Sequence, residues 1–325
     1  MTEVLLDVHA LSVRFQLGRR GRRGVVRAVS AAGFELRAGA VLALVGESGC
    51  GKSVLAAALL GLLPANAEVR GRATMDGLEL LGAQEKTLAE RVRGRMIGLV
   101  PQSAASHLTP VRTARAQLVE TVRALRQDVA DAPAFADDLA TRVGLDPATL
   151  RLYPHQLSGG TAQRVALSLA LAGDPRVLLA DEPTVGLDRP LVEHVVDTLA
   201  DLSTQDKAVL MITHDLAAAR RVATHVAVMY ASRLVEFGPA GAVLADPWHP
   251  YTGALLDALP DGRFRPIPGD PPELTALPDG CAFCQRCPAM PGYPPCTGEA
   301  TMRRFGDRFV AAHPPAAIPE YGPLC

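Results

Sequence analysis

Short runs in which apolar and polar residues alternate dominate the first 45 positions of the chain. The alternation over residues 4–15 predicts short strands, and the apolar run 40–45 predicts a further, apolar strand. A glycine-rich turn follows at once, and residues 53–62 then place apolar side chains at helical spacing. This region therefore predicts a sheet whose apolar strand leads through a glycine turn into a helix.

Helical periodicity replaces strand periodicity in the middle of the chain. Residues 111–152 are rich in Ala, Leu and Arg, which is typical of an inserted set of helices. From residue 165 onward, helical patterns alternate with apolar strands at 177–181, 208–213 and 226–230. This alternation predicts the α/β class with a mostly parallel sheet.

The composition changes after Pro260 to Pro, Gly and Asp, and a cluster of cysteines follows. We predict one large α/β domain over residues 1–259, with a helical insertion at about 103–165, and a small C-terminal module over 260–325. No internal repeat is evident, so the chain is predicted to carry one such domain and not a fused pair.

Charge and hydropathy limit the partners and the location. The 33 Lys and Arg nearly balance the 34 Asp and Glu, so we expect no nucleic-acid partner. Apolar runs stay far below the roughly 20 residues that span a bilayer. The first residues lack the basic start and apolar run of a secretory signal, so we expect a cytoplasmic protein. Because thiols are normally reduced in the cytoplasm, the four cysteines between residues 281 and 296 favour metal ligation over disulfides.

A phosphate-binding loop is predicted at residues 46–53, where G-E-S-G-C-G-K-S fits the pattern G-x-x-x-x-G-K-S/T between a strand and a helix. Such glycines let backbone N–H groups surround phosphates at a helix N-terminus. Lys52 is expected to reach the β- and γ-phosphates of ATP and Ser53 to bind Mg²⁺. The rest of the loop contributes Gly46, Ser48, Gly49 and Gly51. A chance glycine turn is the alternative, and the ordered strand, loop and helix argue against it.

An acidic pair ends the apolar strand at residues 177–180. Asp181 is expected to hold Mg²⁺, through water, and Glu182 to polarise the attacking water as general base. Taken alone, such a pair is usually a solvated strand end or a helix cap. The phosphate-binding loop upstream favours the catalytic interpretation.

Residues 157–161, L-S-G-G-T, resemble the L-S-G-G-Q signature of the ABC ATPases, which kinases, GTPases and other P-loop proteins lack. Gln102 after a strand, Asp188 in G-L-D and His214 in T-H-D match further motifs of that family, in its order. The chain is identified as a member of the ABC ATPases. The resemblance implies a P-loop ABC ATPase fold with a parallel-sheet core, an N-terminal antiparallel β subdomain and an inserted helical subdomain.

The same resemblance implies a dimer. In this family the signature, here Ser158, Gly159 and Gly160, binds the γ-phosphate of an ATP held by the opposite subunit, so two ATP molecules lie between two subunits. Asp188 belongs to the loop that crosses that interface. Thr161 replaces the commonest glutamine, at a position that varies among importer ATPases.

Three more roles follow from the resemblance. Gln102 matches the glutamine that senses Mg²⁺ and couples to the permease, and His214 matches the histidine that contacts the γ-phosphate. Phe15 is a candidate for stacking on adenine, with a place at the edge of a strand core as the alternative.

Residues 246–256, D-P-W-H-P-Y-T-G-A-L-L, resemble a segment of ATPases that serve oligopeptide, dipeptide and nickel importers. This implies import of peptides or metal chelates on the cytoplasmic face of the membrane. The implied partners are a second ATPase subunit (a second copy or a paralogue), two transmembrane permease subunits and an extracytoplasmic substrate-binding protein. A soluble ABC ATPase of iron–sulfur assembly or translation is the alternative, and it should lack the H-P-Y segment.

A C-x-x-C-x-x-C run, Cys281, Cys284 and Cys287, precedes Cys296 by nine residues. Such spacing suits a [4Fe–4S] cluster, which some members of the importer family bind. Zinc is the competing metal, and a cysteine cluster without metal is the third alternative. Cys325 is the alternative to Cys284 as a ligand. A structural role is expected for the metal, because a short Pro-rich segment cannot build its own apolar core.

Overall fold

Strands and helices alternate along most of the chain, as its periodicity predicts. The computed structural model describes residues 2–19, 22–260, 262–287 and 300–312. The strands are β1 (Val4–Arg19), β2 (Arg22–Arg37), β3 (Val41–Val45), β4 (Ala67–Met75), β5 (Leu78–Glu79), β6 (Ile97–Val100), β7 (Val177–Asp181), β8 (Ala208–Thr213), β9 (His225–Tyr230), β10 (Arg233–Pro239), β11 (Thr301–Phe305) and β12 (Arg308–Ala312).

The helices fall between the strands. They are α1 (Lys52–Leu59), α2 (Glu85–Thr87), α3 (Ala104–His107), α4 (Ala114–Leu125), α5 (Ala132–Arg142), α6 (Gly159–Leu171), α7 (Arg189–Ser203), α8 (Leu216–Val222), α9 (Ala240–Ala245) and α10 (Pro250–Asp257). A π-helical turn spans Leu88–Val92, and 3-10 helices span Pro147–Arg151, Pro154–Gln156 and Cys284–Arg286.

The chain divides into two compact units. The first unit contains residues 1–6, 35–42 and 74–213, and the second contains residues 7–34, 43–73 and 214–325.

A parallel sheet forms the core of the first unit. Strands β6, β7 and β8 lie side by side in that order, with Ile97 opposite Val177 and Asp181 opposite Ile212. Every residue of β7 and β8 is buried, as expected for a parallel sheet covered on both faces. The predicted parallel-sheet core is confirmed.

Helices cover this sheet closely. Helix α6 lies against β6, where a Cβ on Gly98 would come within 2.4 Å of the Ala170 carbonyl oxygen. Only glycine permits that approach. Helices α4 and α5 pack on each other and on α6, and Thr113 and Asp131 cap their N-termini by accepting a backbone N–H.

Antiparallel pairing dominates the second unit. After the last residues of β3 come β9, β10, β12 and β11, in that order. β9 and β10 form a hairpin whose register shifts between Leu234 and Glu236, and β12 pairs with β10 with Val310 opposite Glu236. The larger parts of β2, β1 and β4 belong to a separate sheet in that order. The predicted antiparallel β sheet is confirmed.

The predicted cysteine-rich C-terminal module is not confirmed as a separate part of the fold. The hairpin β11–β12 extends the sheet through β10, and Phe283, 1% exposed, packs into the core of the second unit. The boundaries predicted at 259/260 and at about 103–165 stay predictions. Within the described part of the chain, no helix is both long and apolar enough to cross a bilayer.

Candidate active site

The phosphate-binding loop of the second unit is built on close approaches that only glycine allows. A Cβ on Gly46 would lie 2.1 Å from the Met229 carbonyl oxygen, and one on Gly51 would lie 2.0 Å from that of Ala28. Gly46, Gly49 and Gly51 also have positive φ angles of 153°, 79° and 112°. The loop is therefore clamped against β9 and β2 in a conformation that side chains would prevent.

Lys52 starts helix α1 and turns back over the loop. Its side chain is 6% exposed, and Nζ donates to the carbonyl oxygens of Gly46 (2.8 Å) and Glu47 (3.1 Å). Gly51 at the N-cap has no side chain to occupy the first N–H groups of the helix, and Ser53 is exposed in its first turn. A buried ammonium, a glycine-rich loop and a helix N-terminus fit a nucleotide phosphate with its Mg²⁺.

The acidic pair of the first unit lies at the carboxyl end of β7. Asp181 and Glu182 are 8% and 7% exposed, and the Glu182 N–H donates to the Ile212 carbonyl oxygen at 2.8 Å. Glu182 has a φ of 49°, a left-handed conformation that costs a residue with a side chain about 1 kcal/mol or more. Such strain is concentrated at functional sites, and here it turns the chain sharply after the strand.

Gln102 belongs to the same edge of the first unit. Val100 lies opposite Ala180, so the ends of β6 and β7 coincide. Gln102 follows β6 by two residues and is exposed. The predicted metal-sensing glutamine and the acidic pair therefore come from neighbouring strand ends.

The signature segment begins helix α6, with Ser158 as its N-cap. The Ser158 hydroxyl accepts the Thr161 N–H at 3.2 Å and lies 2.8 Å from the Thr161 hydroxyl. Ser158 and Gly159 are exposed, and a Cβ on Gly159 would meet only the Gly186 carbonyl oxygen, at 3.8 Å. Threonine at position 161 thus supports the cap.

The G-L-D loop lies beside the signature in the first unit. A Cβ on Gly160 would come within 2.7 Å of the Leu191 side chain and 3.2 Å of the Leu187 side chain, so the start of α6 packs closely against this loop. Asp188 is exposed and caps α7 by accepting the Leu191 N–H at 3.2 Å. The two segments predicted to face a partner subunit therefore share one exposed surface.

His214 and Phe15 complete the predicted set, both in the second unit. His214 directly follows β8 and is exposed, next to Asp215, which caps α8 through the Ala218 N–H at 3.0 Å. Phe15 is half-buried on β1. The first unit thus holds the acidic pair, Gln102 and the signature surface, and the second unit holds the phosphate-binding loop, His214 and Phe15.

The cysteine run lies in the second unit. Cys281, Cys284 and Cys287 are half-buried, and burial raises the pKa of Cys281. Among the described residues, no group of three or more His, Cys, Asp or Glu side chains is placed to hold a metal ion. Cys296 and Cys325 lie outside the described residues. The three described cysteines alone therefore do not form a metal site, and the predicted [4Fe–4S] or zinc site stays a prediction.

Sequence reasoning missed two residues that contact the phosphate-binding loop. Arg286 binds the Glu47 carboxylate through two N–H groups, at 2.7 and 3.0 Å, and the Tyr251 hydroxyl accepts the Glu47 N–H at 2.9 Å. The contacts join positions 239 and 204 residues apart. No periodicity or spacing signals such pairs, although Tyr251 stands in the H-P-Y segment and Arg286 stands between two cysteines of the run.

Known proteins resemble the chain along most of its length. The family model of the ABC transporter matches residues 29–185, and that of the oligopeptide/dipeptide transporter C-terminal region matches residues 235–291. Oligopeptide transport ATP-binding protein OppD of Haemophilus influenzae is 40% identical over 293 residues, which cover 87% of this chain and 89% of OppD. OppD of Escherichia coli is 39% identical over 88% of this chain and 86% of its own length.

Among solved structures, the dimeric ATP-binding cassette MJ0796 bound to ADP and Pi has the same fold. Its TM-score is 0.64 at 24% identity, over 72% of this chain and 98% of that one. The phosphate-binding loop, the signature and the acidic pair all lie within residues 29–185, the stretch that the ABC transporter model matches. The chain belongs to the ABC transporter ATP-binding proteins, in the group with the oligopeptide/dipeptide transporter C-terminal region.

Proposed function

We propose that the chain is the ATP-hydrolysing subunit of an importer for dipeptides, oligopeptides or related solutes such as nickel and other metal chelates. The observation that carries the ATPase is Glu182, held in strained backbone directly after Asp181 at the buried end of β7. The relatives of the chain that are named oligopeptide transport ATP-binding proteins support peptide transport as the process that this ATPase drives.

The phosphate-binding loop holds the triphosphate in this proposal. The backbone of Gly46, Ser48, Gly49 and Gly51 surrounds the phosphates, and Lys52 exchanges its contacts with loop carbonyls for the β- and γ-phosphates. Ser53 and Asp181 hold Mg²⁺, and Gln102 senses it. The metal, when bound, neutralises charge on the phosphates.

Hydrolysis depends on a base and on a contact to the γ-phosphate. Glu182 accepts a proton from the attacking water, and its buried position limits competition from solvent. His214 contacts the γ-phosphate, and Phe15 stacks on adenine.

The chemistry needs a second subunit. Ser158 and Gly159 are exposed at the start of α6, where small side chains leave N–H groups and a hydroxyl for an anion. We assign this surface, with Gly160 and Asp188, to the γ-phosphate of an ATP bound by the partner. That partner is a second copy of the chain or a paralogue.

The remaining partners are two transmembrane permease subunits and an extracytoplasmic substrate-binding protein, and the chain acts on the cytoplasmic face of the membrane. A soluble ABC ATPase of iron–sulfur assembly or translation remains the alternative. The match of residues 235–291 to an oligopeptide/dipeptide transporter region argues against it.

Iron–sulfur or zinc binding stays a prediction of the cysteine spacing and has no step in this mechanism. Iron, sulfide and zinc content after anaerobic purification tests it. Equal amounts of iron and sulfide favour the [4Fe–4S] cluster, and zinc alone favours the competing site. Protein free of all three refutes both.

Reconstitution with the cognate permease and binding protein tests the proposed function. ATP hydrolysis is measured across a series of dipeptides, longer peptides and metal chelates. We expect stimulation only by solutes that the importer carries. A hydrolysis rate that changes with neither the permease nor the solute favours the alternative, a soluble ABC ATPase.

A further inference from the structure

An acidic side chain stands inside the phosphate-binding loop. Glu47 is the second residue of the loop, and its carboxylate is half-buried. A carboxylate so close to a bound triphosphate repels it, unless a cation neutralises the carboxylate. The loop therefore carries a charge that opposes its own ligand.

Arg286 supplies that cation. Its guanidinium makes the two hydrogen bonds to Glu47 in the geometry that suits a carboxylate best. The Arg286 side chain is 5% exposed, so water screens this pair far less than an ion pair on the surface.

The surroundings hold Arg286 in one orientation. Nε donates to the Pro268 carbonyl oxygen at 2.8 Å, and Nη1 also donates to the Tyr230 hydroxyl at 3.2 Å. Phe283, three residues earlier, packs edge-on against Tyr230 and Tyr251, with ring centroids 5.3 Å apart in both pairs. The 3-10 turn Cys284–Arg286 therefore holds the Arg286 guanidinium in a fixed position beside the phosphate-binding loop.

The main chain of Glu47 is held as well. Tyr251, which is completely buried, accepts its N–H, and burial raises the pKa of the Tyr251 hydroxyl, which stays protonated. Both the backbone and the carboxylate of one loop residue are therefore fixed from the C-terminal part of the chain. These contacts all lie within the second unit.

We propose that Arg286 is a positioning residue for the phosphate-binding loop, which neutralises Glu47 and holds it away from the triphosphate so that ATP binds. This assignment rests on the proposed ATPase. Arg286 acts through Glu47 and does not itself touch the nucleotide. A purely structural role makes a different prediction, because loss of packing is not repaired by removing the opposing charge.

The test measures KM for ATP and kcat for the full-length chain assembled with its permease. Arg286→Gln should raise KM about tenfold, as one uncompensated charge near the phosphates requires, and leave kcat within about twofold. Glu47→Gln in the same chain should return KM to within about threefold of the wild type. Arg286→Lys keeps the positive charge but cannot make the paired hydrogen bonds, so its KM should lie between those of the wild type and Arg286→Gln. Arg263→Gln, at an arginine 69% exposed in the same unit, is the control.

Two results overturn the proposal: an unchanged KM in Arg286→Gln, or a double variant whose KM is no lower than that of Arg286→Gln. If Arg286→Gln does not fold, Arg286→Lys decides, since a raised KM with wild-type kcat supports the assignment and an unchanged KM refutes it. A wild-type chain without ATPase activity refutes the proposed function instead.

Discussion

At the residue scale, the phosphate-binding loop depends on glycines at positions where even a Cβ atom would clash with neighbouring backbone. Gly51 has positive φ, and its missing side chain leaves room for the Ala28 carbonyl oxygen. The sequence pattern identified the loop, because the glycine and lysine spacing is a local signal. It did not identify Ala28 and Met229, which reach the loop from distant strands.

Gly51→Ala should destabilise the chain by more than about 2 kcal/mol, because strain and a clash with backbone add up. Gly241→Ala is the matched control, since a Cβ there meets nothing within 4 Å and lies in helix α9. It should change stability by at most about 1 kcal/mol, in the stabilising direction. Urea unfolding measures both, and equal midpoints would contradict the account of the loop.

Cys50 in the same loop is 5% exposed, and burial raises the pKa of its thiol. The native thiol therefore keeps its proton at pH values where an unfolded one, near its ordinary pKa of about 8.5, has already lost it. Its contribution to stability is present below that pH and is lost as the pH rises further, because the unfolded state ionises first.

Alkylation by iodoacetamide, followed at Cys50 by mass spectrometry, checks this prediction. At mildly alkaline pH the native chain should react at least about tenfold more slowly than the urea-unfolded chain, since the thiolate is the nucleophile. Equal rates in the two states would show that Cys50 is neither buried nor protonated as described.

At the element scale, helix α10 is tied to the sheet of the second unit by a buried carboxylate. Glu236 on β10 is completely buried and accepts the N–H groups of Trp248 and His249, each at 3.0 Å. Arg308 on β12 forms an ion pair with it and stacks 3.8 Å from the centre of the Trp248 ring. The hairpin β11–β12 thereby fixes the segment that begins α10.

Glu236→Gln should lower the free energy of unfolding by about 3 kcal/mol, because it removes the buried carboxylate partner of Arg308 and leaves only the exposed Asp246 carboxylate, 3.7 Å away. Arg303→Gln on the neighbouring strand β11 is the control. Arg303 is exposed, and its loss should change stability by at most about 0.5 kcal/mol. Guanidinium denaturation of the two variants separates these outcomes, and a Glu236→Gln chain as stable as the control would contradict the role of the pair.

Local signals explain which elements the sequence predicted. Strands β3, β7 and β8 are continuous apolar runs because both of their faces are buried, so composition alone identifies them. The helical stretch 111–152 is interrupted where Asp131 caps α5. Hairpin β11–β12 escaped prediction because its partner β10 lies more than 60 residues earlier and no local pattern records that pairing.

We predict a structural metal partly because a short Pro-rich segment cannot build its own apolar core. In the structure, the 3-10 turn Cys284–Arg286 is held in place by Phe283, which precedes it and packs against Tyr230 and Tyr251. The side chains that anchor it are aromatic and cationic, and cysteine spacing gives no indication of them.

At the scale of the whole molecule, the account requires two chains to close on ATP through the exposed signature surface. Gly159→Asp tests this, because a Cβ at Gly159 has room within the fold and the added carboxylate faces the partner's phosphates. The variant should keep wild-type stability and ATP binding, and lose ATP-dependent dimerisation and hydrolysis. Light scattering with and without ATP, in a Glu182→Gln background that slows turnover, reports the dimer. A Gly159→Asp chain that still dimerises would contradict this surface assignment.

We infer that the chain hydrolyses ATP with Glu182 as the base, and the hydrolysis rate of Glu182→Gln beside the wild type at saturating Mg-ATP isolates that role. We expect the rate to fall at least about a hundredfold, with ATP still bound. A Glu182→Gln chain that hydrolyses ATP at the wild-type rate would contradict it.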